Sequence, residues 1–202
     1  MAHSELWQQL VELDRQETSR RAKCQYLADV DRYVITLLNR QYTVNLADRE
    51  IFGVHSDSQQ TPAEFLEQLC ILSYLINSRD LPLADKLVKA NSLRGGQFFF
   101  RGPHELPTER LEKTFGSNPT LIYEAITRLN AVQCTFGDAS INLLVFPRIP
   151  LTFIIWGADE QFGARVSILF DQTAEMHMPL DALWAAVTLA VDSLVKPFCG
   201  GI

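Results

Sequence analysis

The chain has 202 residues, of which 47% are hydrophobic and 21% are charged, as in a folded globular protein of one domain. Its net charge of -6 argues against a nucleic-acid-binding surface, which needs clustered lysine and arginine, so we expect no nucleic-acid partner. Nothing at the N-terminus resembles a secretory signal, and the longest apolar segment, Leu143 to Trp156, is too short and too interrupted by proline to span a bilayer. The sequence therefore predicts a cytoplasmic protein with no membrane partner.

The cysteines give no sign of a metal or redox site. There are four of them, they lie far apart, and none belongs to a Cys-x-x-Cys pair. We therefore expect reduced thiols, and the sequence identifies no cofactor.

The first third of the chain predicts a helix followed by a hairpin. Residues 1–23 form a stripe of apolar residues that fades into polar ones, which predicts a peripheral helix packed at one end. Two β-rich segments, Tyr33 to Leu38 and Gln41 to Leu46, flank a turn predicted at Asn39 and Arg40.

The middle of the chain predicts mainly helices. Thr61 to Glu64 has the pattern of a capping box, with proline in the first turn, and an apolar helix should follow it. Arg94-Gly95-Gly96 predicts a turn that leads into an aromatic strand containing Phe98, Phe99 and Phe100. Further helices are expected over Thr108 to Phe115 and Pro119 to Leu129.

The last third predicts an antiparallel meander and a final helix. The strands are expected at Ile141 to Phe146, Leu151 to Trp156 and Arg165 to Phe170, and their short connections exclude parallel crossovers. Pro179 to Lys196 has an amphipathic helical stripe. The predicted class is α+β: a single domain in which an antiparallel sheet, made of this meander and the N-terminal hairpin, packs with about five helices.

Several motifs, taken in order, carry a resemblance to a known family. Over residues 24–202 the chain resembles the uncharacterised prokaryotic family catalogued as domain of unknown function 3786. The motifs are Gly95-Gly96-Gln97-Phe98-Phe99, Phe136-Gly137-Asp138-Ala139, Phe146-Pro147-Arg148-Ile149-Pro150, Ile155-Trp156 with Asp159 and Glu160, and Ile168-Leu169-Phe170-Asp171 followed by Pro179.

The resemblance implies a role beside redox or corrinoid metabolism in anaerobic prokaryotes. Some proteins of this kind carry a cysteine-rich iron-sulfur segment ahead of the domain, but the present sequence contains no such segment. The family supplies no catalytic residues that could be carried over.

Met176-His177-Met178 is the most conspicuous candidate for a ligand set. Thioether and imidazole groups bind soft metals, but three adjacent side chains reach one centre only from an irregular loop. Pro179 and Asp181 favour a simpler interpretation, the entry of a helix. The open question is whether His177 alone points into a pocket.

Polar residues at strand ends supply the other candidates. Asp138, Arg148, Trp156 and Asp171 are expected to lie near one edge of the sheet and, with His177, to form a ligand site. The alternatives are a surface position for Arg148, core packing for Trp156 and a turn cap for Asp171.

Other candidates have weaker support. The Arg94-Gly95-Gly96 turn could hold an anion, Asp159 and Glu160 could act as a carboxylate pair, and His55 and His104 lie in loops. None of them belongs to a catalytic motif, so the sequence favours a protein that is not an enzyme.

The leading hypothesis is an accessory domain that binds a small ligand or cofactor at that sheet edge. The alternative is an interaction module in which Phe98, Phe99 and Phe100, or the last helix, docks a partner or a second copy. An enzyme whose site is assembled only in the fold is a third hypothesis.

Overall fold

The computed structural model describes residues 3–54 and 59–198. No helix within these ranges has the length and apolar character needed to cross a bilayer. The same ranges contain seven α-helices: α1 (Ser4–Glu12), α2 (Arg15–Ala22), α3 (Phe65–Asn77), α4 (Gly96–Phe99), α5 (Thr108–Phe115), α6 (Glu124–Leu129) and α7 (Leu180–Val195).

The strands form two antiparallel sheets. In the described part of the chain they are β1 (Gln25–Leu27), β2 (Arg32–Leu37), β3 (Arg40–Asn45), β4 (Glu50–Val54), β5 (Gln60–Pro62), β6 (Leu87–Lys89), β7 (Val132–Gln133), β8 (Ala139–Phe146), β9 (Ile149–Trp156) and β10 (Arg165–Asp171). The first sheet has the order β1-β2-β3-β4-β5, and the second has the order β6-β10-β9-β8-β7. The α+β class is therefore confirmed, but the hairpin and the meander lie in separate sheets.

The predicted hairpin is the centre of the first sheet. Strands β2 and β3 pair antiparallel up to the pair Leu37 and Arg40. The turn consists of Leu38 and Asn39, whose φ angles of 50° and 62° are both positive, so it begins one residue before the predicted turn. Such two-residue turns match the right-handed twist of the flanking strands.

A β-bulge connects this hairpin to the second sheet. The register between β8 and β9 shifts between Leu144 and Phe146, which leaves Val145 out of the ladder. The Val145 carbonyl instead accepts a hydrogen bond from the Leu38 N–H at 3.0 Å. The bulge therefore provides the acceptor for the tip of the hairpin.

The N-terminal segment is two helices rather than one. Leu13 is extended and ends α1, and the Asp14 carboxylate caps α2 by accepting a hydrogen bond from the Glu17 N–H at 2.7 Å. Trp7 and Leu10 are buried in the core. The prediction of a single helix over residues 1–23 is therefore wrong, whereas its predicted packed end is present at Trp7 and Leu10.

Helix α3 begins three residues later than predicted. Thr61 and Pro62 belong to β5, an edge strand, where proline costs no ladder hydrogen bond. The capping box is formed by Glu64 and Glu67: each side chain accepts a hydrogen bond from the other residue's backbone N–H.

The glycine-rich turn leads into a helix, not a strand. Gly95 has a φ of 78°, and α4 follows it directly. A Cβ on Gly96 would lie 2.0 Å from the Ala90 carbonyl oxygen, so only glycine permits this close approach. Of the three phenylalanines, Phe98 is exposed, whereas Phe99 and Phe100 are half-buried.

The remaining predicted elements agree with the structure. The segment Pro119 to Leu129 begins as a 3-10 helix and continues as α6. Helices α3 and α7 are central, and their buried faces join both sheets in a continuous hydrophobic core. One contact across this core is the stack of Tyr74 on Phe146, with ring centroids 4.3 Å apart.

Candidate functional site

Arg148 is buried in the turn between β8 and β9, with only 4% of its surface exposed. Its Nε donates to the Arg21 carbonyl at 2.7 Å, one terminal nitrogen donates to the Leu81 carbonyl, and the other donates to the Asp80 carboxylate at 2.5 Å. The guanidinium therefore joins helix α2, the segment after α3, and the second sheet. Arg148 is thus paired with an acid, and the surface position expected as the alternative is excluded.

Asp80 extends this cluster to the surface. Its second carboxylate oxygen accepts a hydrogen bond from Arg20, which also pairs with Glu17. The hydrogen bond from Arg148, together with the charge of Arg20, lowers the pKa of Asp80. The carboxylate is therefore held ionised between two arginines.

Asp171 is a buried turn cap. Its Oδ1 accepts hydrogen bonds from the Thr173 N–H at 2.9 Å, the Thr173 hydroxyl at 2.6 Å and the Ala84 N–H at 3.1 Å. Burial alone would raise the pKa of Asp171, but these hydrogen bonds outweigh it and lower the pKa. The carboxylate holds the end of β10 against the chain that leads into β6.

His177 lies beside Arg148 and Asp171 and has no exposed surface. Its Nδ1 accepts a hydrogen bond from the Arg79 N–H at 3.2 Å, so the neutral ring carries its proton on Nε2. Nε2 has no hydrogen-bond partner among the described residues. Burial, and next the Arg148 charge, lower the pKa of His177 to about 4.

The two methionines beside His177 differ in their exposure to solvent. Met178 is buried in the core, whereas Met176 is 36% exposed. Within residues 3–54 and 59–198, no three His, Cys, Asp or Glu side chains are grouped closely enough to hold a metal ion. This geometry favours the helix entry over the soft-metal set.

Asp138 and Trp156 lie at the opposite end of the sheet. Ala139, the residue after Asp138, pairs with Ile155, whereas Arg148 follows the far end of β8. The Asp138 carboxylate accepts the Gly157 N–H at 2.8 Å, and the Trp156 ring packs under the Arg165 guanidinium at 4.4 Å. The prediction that these residues share one edge with Arg148 and Asp171 is wrong, because successive antiparallel connections alternate between the two ends of the strands.

Three of the weaker candidates, Arg94, Asp159 and His104, have internal contacts. The Arg94 N–H donates to the Glu175 carboxylate, and Asp159 accepts hydrogen bonds from the backbone of its own loop. His104 stacks on Phe99 with ring centroids 4.5 Å apart. His55 lies outside the described residues.

A cleft that the sequence did not indicate lies between the hairpin and the helices. It has a volume of about 490 Å³ and is bounded by the β2–β3 hairpin, the start of α3, α5 and the end of α7. Its polar lining consists of Arg40, Tyr42, Glu64, Glu67, Arg110, Asp192, Ser193 and Lys196.

The floor of the cleft is a hydrogen-bonded network around Tyr42, which is buried. The Tyr42 hydroxyl donates to Glu67 Oε1 at 2.5 Å, and Glu67 Oε2 accepts the Glu64 N–H at 2.8 Å. Burial, and next the hydrogen bond to Glu67, raise the pKa of Tyr42. The phenol is therefore a fixed donor at neutral pH.

Arg40 forms the wall beside this floor. Its guanidinium lies over the Tyr42 ring at 5.1 Å, 3.8 Å from the Glu67 carboxylate, and donates to the Thr61 hydroxyl at 2.6 Å. A Cβ on Gly53 would lie 2.2 Å from the guanidinium. Glycine on the neighbouring strand therefore makes room for Arg40.

The opposite wall is formed by two helices. Arg110 of α5 pairs with Asp192 of α7, and Lys196 follows the end of α7. Lys196 is exposed and has no ion pair among the described residues. The sequence signal that could have found this site is Glu67, because a single acid within an apolar helical segment requires a partner.

The chain is similar to one family of known proteins. No curated protein and no solved structure gave a match to the chain. The model of a family described as "Domain of unknown function (DUF3786)" matches residues 14–193. The matched range includes the motifs around Gly95, Arg148 and Asp171. Because the match covers most of the sequence, the chain belongs to this family.

Proposed function

We propose that this protein is a cytoplasmic accessory domain that binds a small zwitterionic metabolite in the cleft between the hairpin and α7. The observation that carries the proposal is the cleft itself, with its floor of buried Tyr42 hydrogen-bonded to half-buried Glu67. Ligand sites are commonly concave, have volumes of about 300 to 1,000 Å³ and contain a few fixed polar groups. The cleft meets these conditions with a volume of about 490 Å³.

The distribution of charge supports a ligand that carries both signs. Arg40, Arg110 and Lys196 place three cations around the cleft, and Glu64, Glu67 and Asp192 place three anions there. A ligand with one charge would meet like charges wherever it sat, whereas a zwitterion can pair with both.

Two of these groups are the best placed to receive the ligand. Lys196 is available for a carboxylate, since its ammonium has no ion pair among the described residues. Glu64 uses its side chain to cap α3 and has a second carboxylate oxygen for an ammonium group. We propose the amino-acid class on this basis.

The family resemblance suggested redox or corrinoid metabolism. A cleft of this size suits a metabolite the size of an amino acid rather than a whole corrinoid or haem. In this proposal the protein acts beside such metabolism by binding a small metabolite. A ligand role for Asp138, Arg148, Trp156, Asp171 and His177 stays a prediction, and each of them has an internal contact that gives it a structural role.

The proposal is tested by titrating isotope-labelled protein with L-glutamate, L-lysine and L-leucine and recording amide chemical shifts. Acetate and ethylamine are the controls, because each carries only one of the two charges. We expect at least one amino acid to give saturable shifts at Leu38 and Ser193, and neither control to do so. The proposal fails if no amino acid shifts these signals at millimolar concentration.

A pair of lysine variants locates the binding. Lys196→Gln removes the cation at the cleft and should weaken binding about tenfold, as the loss of a charged hydrogen bond typically does. Lys113→Gln removes a lysine that pairs with Glu109 on an exposed face of α5 and should leave the affinity unchanged. Equal effects of the two variants would place the binding elsewhere.

A second candidate function is the interaction module. It is favoured by Phe98, which is 74% exposed beside half-buried Phe99 and Phe100.

A further inference from the structure

Two loops of opposite charge each display an exposed phenylalanine. The basic loop, residues 94–101, carries Arg94 and Arg101 around Phe98, and the acidic loop, residues 157–163, carries Asp159 and Glu160 beside Phe162. Phe98 is 74% exposed and Phe162 is 70% exposed, the highest values among the large hydrophobic side chains of the described residues. Removal of an exposed apolar ring from water is favourable, so each of the two rings can contribute to a contact with a partner.

The charges of both loops are available to an external partner. The side chains of Arg94, Arg101, Asp159 and Glu160 form no ion pair among residues 3–54 and 59–198. Two opposite charges lie near them: Glu175 accepts the Arg94 backbone N–H, and Arg165 is held over Trp156. Even with these neighbours, the loops differ in sign.

Both loops are held in fixed shapes. Asp159 Oδ1 accepts the backbone N–H groups of Gln161 and Phe162 at 2.8 and 2.7 Å, and the Asp159 N–H donates to the Phe162 carbonyl at 2.9 Å. Phe98 lies on α4, which begins directly after the left-handed Gly95. Rigid presentation lowers the entropy that is lost when a side chain enters an interface.

The two loops of one molecule lie at opposite ends of β10. Arg165, the first residue of β10, follows the acidic loop, whereas Phe100 of the basic loop packs near Phe170, with ring centroids 6.2 Å apart. Five residues of strand separate these positions by roughly 17 Å. The loops are therefore complementary to each other but are joined to the same sheet too far apart to pair within one chain.

We propose that the basic loop of one molecule docks on the acidic loop of a second copy, so that the protein associates head to tail. Phe98 of one copy packs with Phe162 of the next, and Arg94 and Arg101 face Asp159 and Glu160. This contact joins two different surfaces, so repetition closes into a ring or extends into a chain.

Sedimentation of the full chain across a range of concentrations tests the proposal. At low salt the weight-average mass should rise with concentration above that of one chain, and added salt should reverse the rise, because surface charges are screened. A mass that stays at one chain at every concentration would overturn the proposal.

Variants identify the surfaces. Phe98→Ser and Phe162→Ser should each lower the association constant about tenfold or more, as the loss of a central aromatic contact does. Val132→Ser, at another exposed apolar residue on β7, is the matched control and should leave association unchanged. Association that Phe98→Ser and Phe162→Ser do not weaken would show that other surfaces are responsible.

Charge reversal gives a test that a loss of folding cannot imitate. One variant carries Arg94→Glu and Arg101→Glu; the other carries Glu160→Lys and Gln161→Lys and keeps the Asp159 turn. Each should remain monomeric alone, and an equimolar mixture should associate, since each loop then finds a loop of opposite charge in the other variant. A mixture that stays monomeric while both variants have the circular dichroism of the original protein would refute the pairing.

Discussion

His177 should make the protein less stable as the pH falls from neutral to mildly acidic. Replacement of His177 by asparagine should remove most of this effect. His177 is fully buried, and its Nδ1 accepts the Arg79 N–H at 3.2 Å. Asparagine can supply an acceptor oxygen at the same place but does not titrate, so His177→Asn separates the hydrogen bond from the proton equilibrium.

The sign follows from the two pKa values of the ring. In the unfolded chain the pKa is 6.5, and burial lowers it to about 4 in the folded protein. The unfolded chain therefore binds the proton more readily, so the contribution to stability is complete above pH 6.5 and is lost as the pH falls toward 4.

The magnitude follows from the same values. At about 1.4 kcal/mol for each pH unit between the two pKa values, the full loss is about 3 kcal/mol, and about 2 kcal/mol is lost by pH 5. At neutral pH the variant should be less stable than the original protein by about 1 to 2 kcal/mol, since the smaller side chain leaves a void. The two proteins should approach equal stability at about pH 5.

Urea unfolding of both proteins at neutral pH and at about pH 5 measures this difference. His104→Asn, at an exposed histidine, controls for the removal of one histidine from the chain. A difference in unfolding free energy between the original protein and His177→Asn that is the same at both pH values would refute a buried neutral ring.

Three further predictions concern stability. Arg148→Lys should cost about 3 kcal/mol in urea unfolding, because one ammonium cannot replace a guanidinium that bonds to three acceptors; a loss below about 1 kcal/mol would contradict this. Gly53→Ala should lower the melting temperature, because the added methyl group displaces Arg40. In an Arg40→Ala background the same substitution should lower the melting temperature much less; an equal decrease in both would show that the two sites are independent. Tyr42→Phe should cost about 1 to 2 kcal/mol in urea unfolding, because Glu67 loses a buried donor; unchanged stability would mean that water replaces the hydroxyl.

Local patterns predicted most elements of the fold. The β2–β3 hairpin, the β8–β9–β10 meander and α7 follow from alternation, turn residues and helical periodicity, which depend only on neighbouring residues. Thr61-Pro62 has the pattern of a helix entry and therefore predicts that α3 begins too early. In the structure these two residues pair with β4 as part of β5. That pairing is a tertiary contact that the pattern does not contain.

The candidate residues illustrate the same limit. The sequence predicts Asp171 as a ligand residue with a turn cap as the alternative, and the alternative depends only on neighbouring residues such as Thr173. Arg148 is a candidate from the sequence, but its partners Asp80 and Arg21 are distant in sequence, so local patterns could not identify them. The sequence does not predict the cleft, because its walls come from the β2–β3 hairpin and three helices that are distant in sequence. Glu67 is the only local signal for it.

The pairing of β6 with β10 affects the order in which the chain can fold during synthesis. The first sheet connects strands that are consecutive in sequence, so it can form soon after residues 25–62 leave the ribosome. In the second sheet, Lys89 pairs with Leu169, and α3 packs on α7, the last of the described α-helices. The part of α3 that packs on α7, rather than on α1 and α2, therefore stays uncovered until residues 180–195 have been translated. A chaperone would help folding most during this interval.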